Sequence, residues 1–319
     1  MATARPFGRP LPPGRRSVVR LHDVITDERE ILLENSELVL ESPDFSPDGR
    51  HLVVNGAGRL RVLPLDAELR PAGPLAEVDT DPIRVANNDH LVTPDGSAHL
   101  LTADGRVYRV PWTGGTPRCV TPDPGSAPIR YYLHGQSADG GTLALTVLTG
   151  RLHTDDVIRT NVGLLRDGQV RLLTDTQACD GPELGPGAPG EPHDSWVWFN
   201  SELAAERPGH SQIFRIRPDG GGLQQVTYDD RVSWFPHPSP DGRWLAYLAY
   251  EPGTQQHPAD VPAQIRLIDL ADPALGTPDV QVRVLADVFG GQGATNVNGW
   301  APDSRRLAYV DYPLGRDQP

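Results

Sequence analysis

One phrase returns along this chain: a polar turn of the form Ser-Pro-Asp-Gly followed at once by a short apolar strand. It reads Ser46-Pro47-Asp48-Gly49 before residues 51–55, Thr93-Pro94-Asp95-Gly96 before 98–102, and Ser137-Ala138-Asp139-Gly140 before 142–147. It comes again as Ser239-Pro240-Asp241-Gly242 before 244–250 and as Ala301-Pro302-Asp303-Ser304 before 306–312. Proline presets the backbone angle of the second turn residue, aspartate bonds the local backbone, and glycine accepts a positive φ, so two antiparallel strands meet at each copy. Successive aspartates stand 47, 44, 102 and 62 residues apart. The long step hides a further unit at Gly181-Pro182-Glu183-Leu184, where the loop 185–194 replaces the turn before the strand 196–200. Six units at a period near fifty, each opened by a hairpin, predict a propeller.

A second hairpin is expected in each unit: 107–110 with 118–120, 163–165 with 169–173, 212–216 with 223–226, 264–270 with 280–285, and 60–65 with 74–77. Four antiparallel strands per blade follow. The last unit stops after its inner hairpin, while the chain opens with an orphan hairpin, 18–22 and 30–34. Docking the two closes the sixth blade from both ends of the chain and hides the sheet edges. The expected class is all-β, with a flexible tail over 1–16, a single six-bladed propeller over 17–313 and a short C-terminal tail over 314–319.

Composition agrees and narrows the function. With 33 Gly, 33 Pro and 38% hydrophobic residues, the chain is too punctuated for long helices. A net charge of −13 argues against nucleic acid and anionic membranes as partners. All 29 basic side chains are arginine, which reads as codon bias. The N-terminal residues have no apolar core of signal-peptide length and no stretch reaches a transmembrane span, so a cytoplasmic monomer without membrane insertion is expected. Cys119 and Cys179 have neither metal-ligand spacing nor a disulfide framework around them, and read as two packed thiols.

The repeats resemble the TolB-type, WD40-like β-propeller family, which shares its blade pattern with the N-terminal propeller of dipeptidyl peptidase IV-like proteins. The resemblance spans most of 17–313. It is strongest in Phe199-Asn200-Ser201, Gln212-Ile213-Phe214-Arg215-Ile216, Trp234-Phe235-Pro236-His237-Pro238 and Phe289-Gly290-Gly291-Gln292-Gly293. The TolB and peptidase relatives carry an added domain, and this sequence matches neither addition. Its nearest approach to a nucleophile elbow, Gly135-Gln136-Ser137-Ala138-Asp139, lacks the last glycine and sits on a hairpin, so no serine peptidase is expected. The Gly-x-Gly-x-x-Gly string at 185–190 has prolines and no following helix, and reads as a spacer.

A site is expected on the face opposite the tight turns, where the loops 149–160, 201–211, 251–263 and 287–296 are long. These loops carry His153, Asp155, Asp156, His210, Gln255, Gln256, His257 and Gln292. Counting five residues back from each turn serine gives Glu41, Asn88, Tyr132, Asp180, Trp234 and Asn296, a predicted ring of polar and aromatic groups around the channel mouth. Asn200, His237, His257 and Gln292 complete the candidate ligand-binding set. Two functions follow. One is a non-catalytic binding or scaffold module for a protein, peptide or small ligand on the long-loop face. The other, implied by resemblance to oligogalacturonate lyases, is a metal-dependent polysaccharide lyase or hydrolase with a divalent metal in the channel, for which His134, His237, His257 and Gln292 are the candidate ligands. Each candidate also has a structural reading, such as His237 bonding a carbonyl of another blade, or Asp155-Asp156 forming a solvated loop.

Overall fold

The computed structural model describes residues 9–152, 155, 157–176, 178–205 and 207–315. Six antiparallel sheets follow one another around a ring. The first five blades each have four strands in chain order, beginning at Leu40–Phe45, His90–Val92, Ile129–Gln136, Cys179–Gly185 and Val232–Pro238. The sixth is closed from both ends of the chain: Ser17–Asp23 pairs with Arg306–Asp311, and Arg29–Asn35 lies outside it. Its innermost position is held by residues 299–301, which bond the neighbouring strand through Ala301 N to Arg306 O (2.8 Å) and Ala308 N to Gly299 O (2.7 Å). Among the described residues no helix is long and apolar enough to cross a membrane.

The recurring turn works as its chemistry requires. In the first blade Ser46 Oγ donates to Asp48 Oδ1 at 2.6 Å, while the Arg50 and His51 amides donate to Asp48 Oδ1 and Ser46 Oγ. Gly49 sits at φ 69°. Ser239 and Asp241 repeat the arrangement in the fifth blade. Ser137 is spent in the same way on Asp139, which agrees with its reading as a turn residue. In the fourth blade the loop 185–194 replaces the turn and packs down: Trp198 Nε1 donates to Pro186 O, and Trp196 Nε1 to Glu191 Oε2.

Apolar clusters lie between blades; one joins Leu91, Leu100 and Val107 of the second blade to Leu133, Leu145 and Leu165 of the third. Polar residues near the end of the second strand then clip each blade to the next. Asn55 Nδ2 donates to Asn87 O, Thr102 Oγ1 accepts from Leu133 N, Thr146 Oγ1 donates to Asp180, and Asn200 Oδ1 accepts from Phe235 N. Between the sixth and first blades, Tyr312 Oη donates to Leu40 O at 2.7 Å. In the fifth blade the corresponding tyrosine, Tyr250, is wholly buried and its hydroxyl has no hydrogen-bond partner among the described residues.

The innermost strands are bent by β-bulges that the repeat pattern did not disclose. Register slips at Glu41/Asp44, Asp180/Glu183 and Trp234/His237 each contain a residue at positive φ followed by proline: Ser42 (55°), Gly181 (60°) and Phe235 (52°). A bulge re-aims the side chains on either side of it. Glu41, Asp180 and Trp234 precede these bulges, and Asp44, Glu183 and His237 follow them. Residues 9–16, which the sequence assigns to a tail, lie against the ring; residues 1–8 and 316–319 fall outside the described set.

Candidate functional site

A cavity of about 480 Å³ opens among the long loops, and all four of them line it, through Leu152, Glu202, His257 and Gln292 among others. Its inner wall comes from the starts of the third to fifth inner strands: Tyr132, His134, Asp180, Trp234 and Phe235. Asn296 and Asn200 also reach it. Four of the six residues predicted for the ring therefore share one cavity: Tyr132, Asp180, Trp234 and Asn296. Glu41 instead accepts a bond from Arg9 at 3.2 Å and packs against Gly293. Asn88 is buried, and its neighbours Asn87 and Asp89 face the cavity in its place.

Asp180 is the electrostatic centre. Its Oδ1 accepts from Thr146 Oγ1 at 2.6 Å and from Gly181 N at 2.8 Å, and faces His134 Nε2 at 3.4 Å. Its Oδ2 faces His257 Nε2 at 3.7 Å. Burial alone would raise this carboxyl, yet the His134 bond and charge, with His257 and Thr146 behind them, hold it down to about 2. Burial pulls the His134 imidazole down, but the Asp89 charge and the bonded Asp180 outweigh it and lift the ring to about 9. Asp89 is itself raised by burial, against the pull of His134 and of the bond from Asn87.

Aromatic rings form the other wall. His134 stacks on Phe235 with centroids 5.9 Å apart, and His257 stands edge-on to Trp234 at 4.4 Å. Phe235 holds a left-handed backbone angle, which is uncommon and costly for a bulky side chain and occurs most often at functional sites. Trp234 is only 8% exposed, and its indole N–H has no partner among the described residues. His257 Nδ1 likewise has none.

His237 lies elsewhere. Beyond the bulge it turns inward, with Nδ1 2.6 Å from Glu183 Oε2 and Nε2 2.9 Å from Thr295 O. Asn298 Nδ2 donates to the other Glu183 oxygen, and Trp300 Nε1 to His237 O. The ring is 2% exposed and both its nitrogens are engaged, so the structure matches the carbonyl-bonding reading of His237. His134 and His257 are joined through Asp180, and Gln292 borders the same cavity, but His237 is not among the residues lining it. Among the described residues no three His, Cys, Asp or Glu side chains are grouped to hold a metal ion. The set does not fit a metal cradle of the kind the lyase resemblance implied, and we derive no step through a metal.

Of the remaining loop candidates, His210 Nε2 lies 2.9 Å from Asp229 O and Asp155 accepts from Arg151 N at 2.7 Å. His153 and Asp156 fall outside the described residues. Both cysteines are free thiols. Phe235, Asp89 and Glu202 were missed by counting from the turn. The available signal was the x-Pro pair at one offset in three inner strands, Ser42-Pro43, Gly181-Pro182 and Phe235-Pro236.

Comparison with known proteins places the chain. No protein-family model matches it. An uncharacterised protein of Agrobacterium fabrum is 31% identical over 302 residues, covering 93% of this chain and 92% of its own length. A solved structure assigned as a TolB of Agrobacterium tumefaciens is 30% identical, covers 94% of this chain and 99% of its own, and superposes with a TM-score of 0.77. The chain belongs to the TolB-like β-propeller family. A manganese complex of an oligogalacturonate lyase is similar to this TolB-like propeller at a TM-score of 0.54 and 18% identity, covering 89% of this chain and 75% of its own, which shows a shared fold. The TolB-like side of the sequence resemblance is the side these similarities support.

Proposed function

We propose that this TolB-like propeller is a non-catalytic binding module that takes a small organic ligand, or the end of a peptide, in the cavity among its long loops. Trp234 carries the reading. Its ring and that of Phe235, with His257 and His134 packed on them, make an aromatic wall facing the buried Asp180 carboxylate across one cavity. The cavity volume is in the range of small-molecule sites, and its aromatic walls with a few polar groups are what such sites use to grip and orient a ligand. A monomeric state and a cytoplasmic location accompany the proposal; gel filtration and cell fractionation test them.

Titration calorimetry against amino acids, short peptides and small saccharides, with Trp234→Phe and His257→Ala alongside, tests it. A bound compound should lose about fivefold in affinity in His257→Ala, which removes one cavity-lining hydrogen-bonding ring worth about 1 kcal/mol, and should weaken in Trp234→Phe, which shrinks the aromatic wall. A panel with no binder, or a binder indifferent to both substitutions, would sink the reading.

A further inference from the structure

The segment before the first strand brings a guanidinium to a place the blades leave open. Arg15 pins this segment: its Nη1 donates to Tyr312 O at 2.6 Å and its guanidinium lies 3.3 Å from the centre of the Phe289 ring. Arg9 then enters the ring of blades. Its Nη1 donates to Asp260, its Nη2 donates to Glu41 Oε1 at 3.2 Å, and its plane lies over the Tyr312 ring at 5.0 Å.

The groups that receive Arg9 come from three different blades. Glu41 stands at the start of the first inner strand, and Tyr312 follows the last strand. Asp260 lies in a bulge of the strand Ala259–Asp269 and is held at φ 62°. Each is also anchored by the blades: Glu41 pairs with Asn55, Tyr312 N donates to Phe289 O and its hydroxyl to Leu40 O, and the strand of Asp260 pairs with Val282–Gly291. The fifth-blade junction is also where Tyr250, unlike Tyr312, has a wholly buried hydroxyl with no partner among the described residues, within the field of Arg9. The Gln292 carbonyl faces Arg9 Nη2 at 3.5 Å while Gln292 also lines the cavity, so this cage adjoins the cavity wall.

We propose that Glu41, Asp260 and Tyr312 form a guanidinium-binding subsite beside the cavity, filled in cis by Arg9 and open in trans to an arginine side chain of a peptide partner. The proposal rests on the reading of this face as the binding face. Arginine is the side chain that fits. Two separate nitrogens reach two carboxylates while the flat face lies on an aromatic ring, and a lysine ammonium is a point charge that cannot do all three. The net charge of −13 draws basic peptides toward the protein over long range. Tethering gives Arg9 an effective concentration of about millimolar, so a partner in trans competes with the chain's own arginine.

The test is fluorescence anisotropy with a labelled peptide of the chain's own sequence, Phe-Gly-Arg-Pro-Leu-Pro, and its lysine counterpart. The proteins are the full chain, Arg9→Ala, Arg9→Met, and Arg9→Ala with Asp260→Asn. Arg9→Ala should bind the arginine peptide at least about tenfold tighter than the full chain, because an occupied site weakens apparent affinity by the fraction left open. The lysine peptide should bind much more weakly, and Asp260→Asn should abolish binding. Arg9→Met keeps the aliphatic stem and supplies the same readout if the alanine variant does not fold. No binding to either Arg9 variant, equal binding of the two peptides, or indifference to Asp260→Asn overturns the subsite. Failure of the small-molecule panel alone leaves the subsite result standing.

Discussion

Replacing His237 by alanine separates the structural from the metal-binding account of this residue. Glu183 is 5% exposed and His237 2%, and the substitution leaves the carboxylate buried with the Asn298 amide as its remaining hydrogen-bond donor among the described residues. Removing one member of a buried hydrogen-bonded pair of this kind costs about 3–5 kcal/mol. The Thr295 carbonyl loses its partner as well. For a chain of this size, about 2 °C of melting temperature corresponds to each kcal/mol, so the midpoint should fall by roughly 6–10 °C. Calorimetric melts of His237→Ala beside His257→Ala give the comparison, since His257 borders the cavity with a longer 3.7 Å contact to Asp180 and an edge contact to Trp234 and should shift the midpoint by less than about 2 °C. The double change His237→Leu with Glu183→Leu removes both polar partners and should recover much of the loss. A His237→Ala midpoint no lower than that of His257→Ala, or a double variant no better than the single, would refute the argument.

Two further outcomes follow from the same contacts. His134 is raised in the folded state from 6.5 to about 9, so folding favours its protonated form; that stability is full below about pH 6.5 and is lost as pH rises through about 9. Melting temperatures taken across this window should fall with pH, and His134→Gln should flatten the slope. Gly291 sits at φ 73° with the Pro258 carbonyl against the position a Cβ would take, so Gly291→Ala should destabilise by more than about 1–3 kcal/mol. Gly253→Ala, at φ 87° with open space around it, should cost no more than that range in a urea titration.

Much of the ring was legible because it is written locally. Each hairpin is specified by four adjacent residues, and its side-chain bonds, such as Ser46 to Asp48, run between atoms two residues apart in the chain. Closure by the N-terminal hairpin was legible for a related reason: two unpaired half-blades at opposite ends of a six-unit array have one way to satisfy their edges, and Val18 to Asp311 begins that ladder. The candidate site was legible only in part. Counting from the turns found Tyr132, Asp180, Trp234 and Asn296, the first three on inner strands whose register slips at a bulge next to that position. In the second blade it selected Asn88, which is buried, while Asn87 and Asp89 face the cavity.

The sequence by itself determined the repeat, the number of blades, the strand order, the all-arginine basic set and the face that carries long loops, because turn chemistry and loop length act within a few residues. Only the tertiary structure decided that His237 serves Glu183 across two blades, that His134 and His257 meet on one carboxylate, and that Arg9 lies on Glu41 and Asp260. These partners are separated by tens to hundreds of residues along the chain. What brings them together is the closure of the ring and the bulges that tilt its inner strands, and the energy of such contacts depends on burial and charge that no local pattern records.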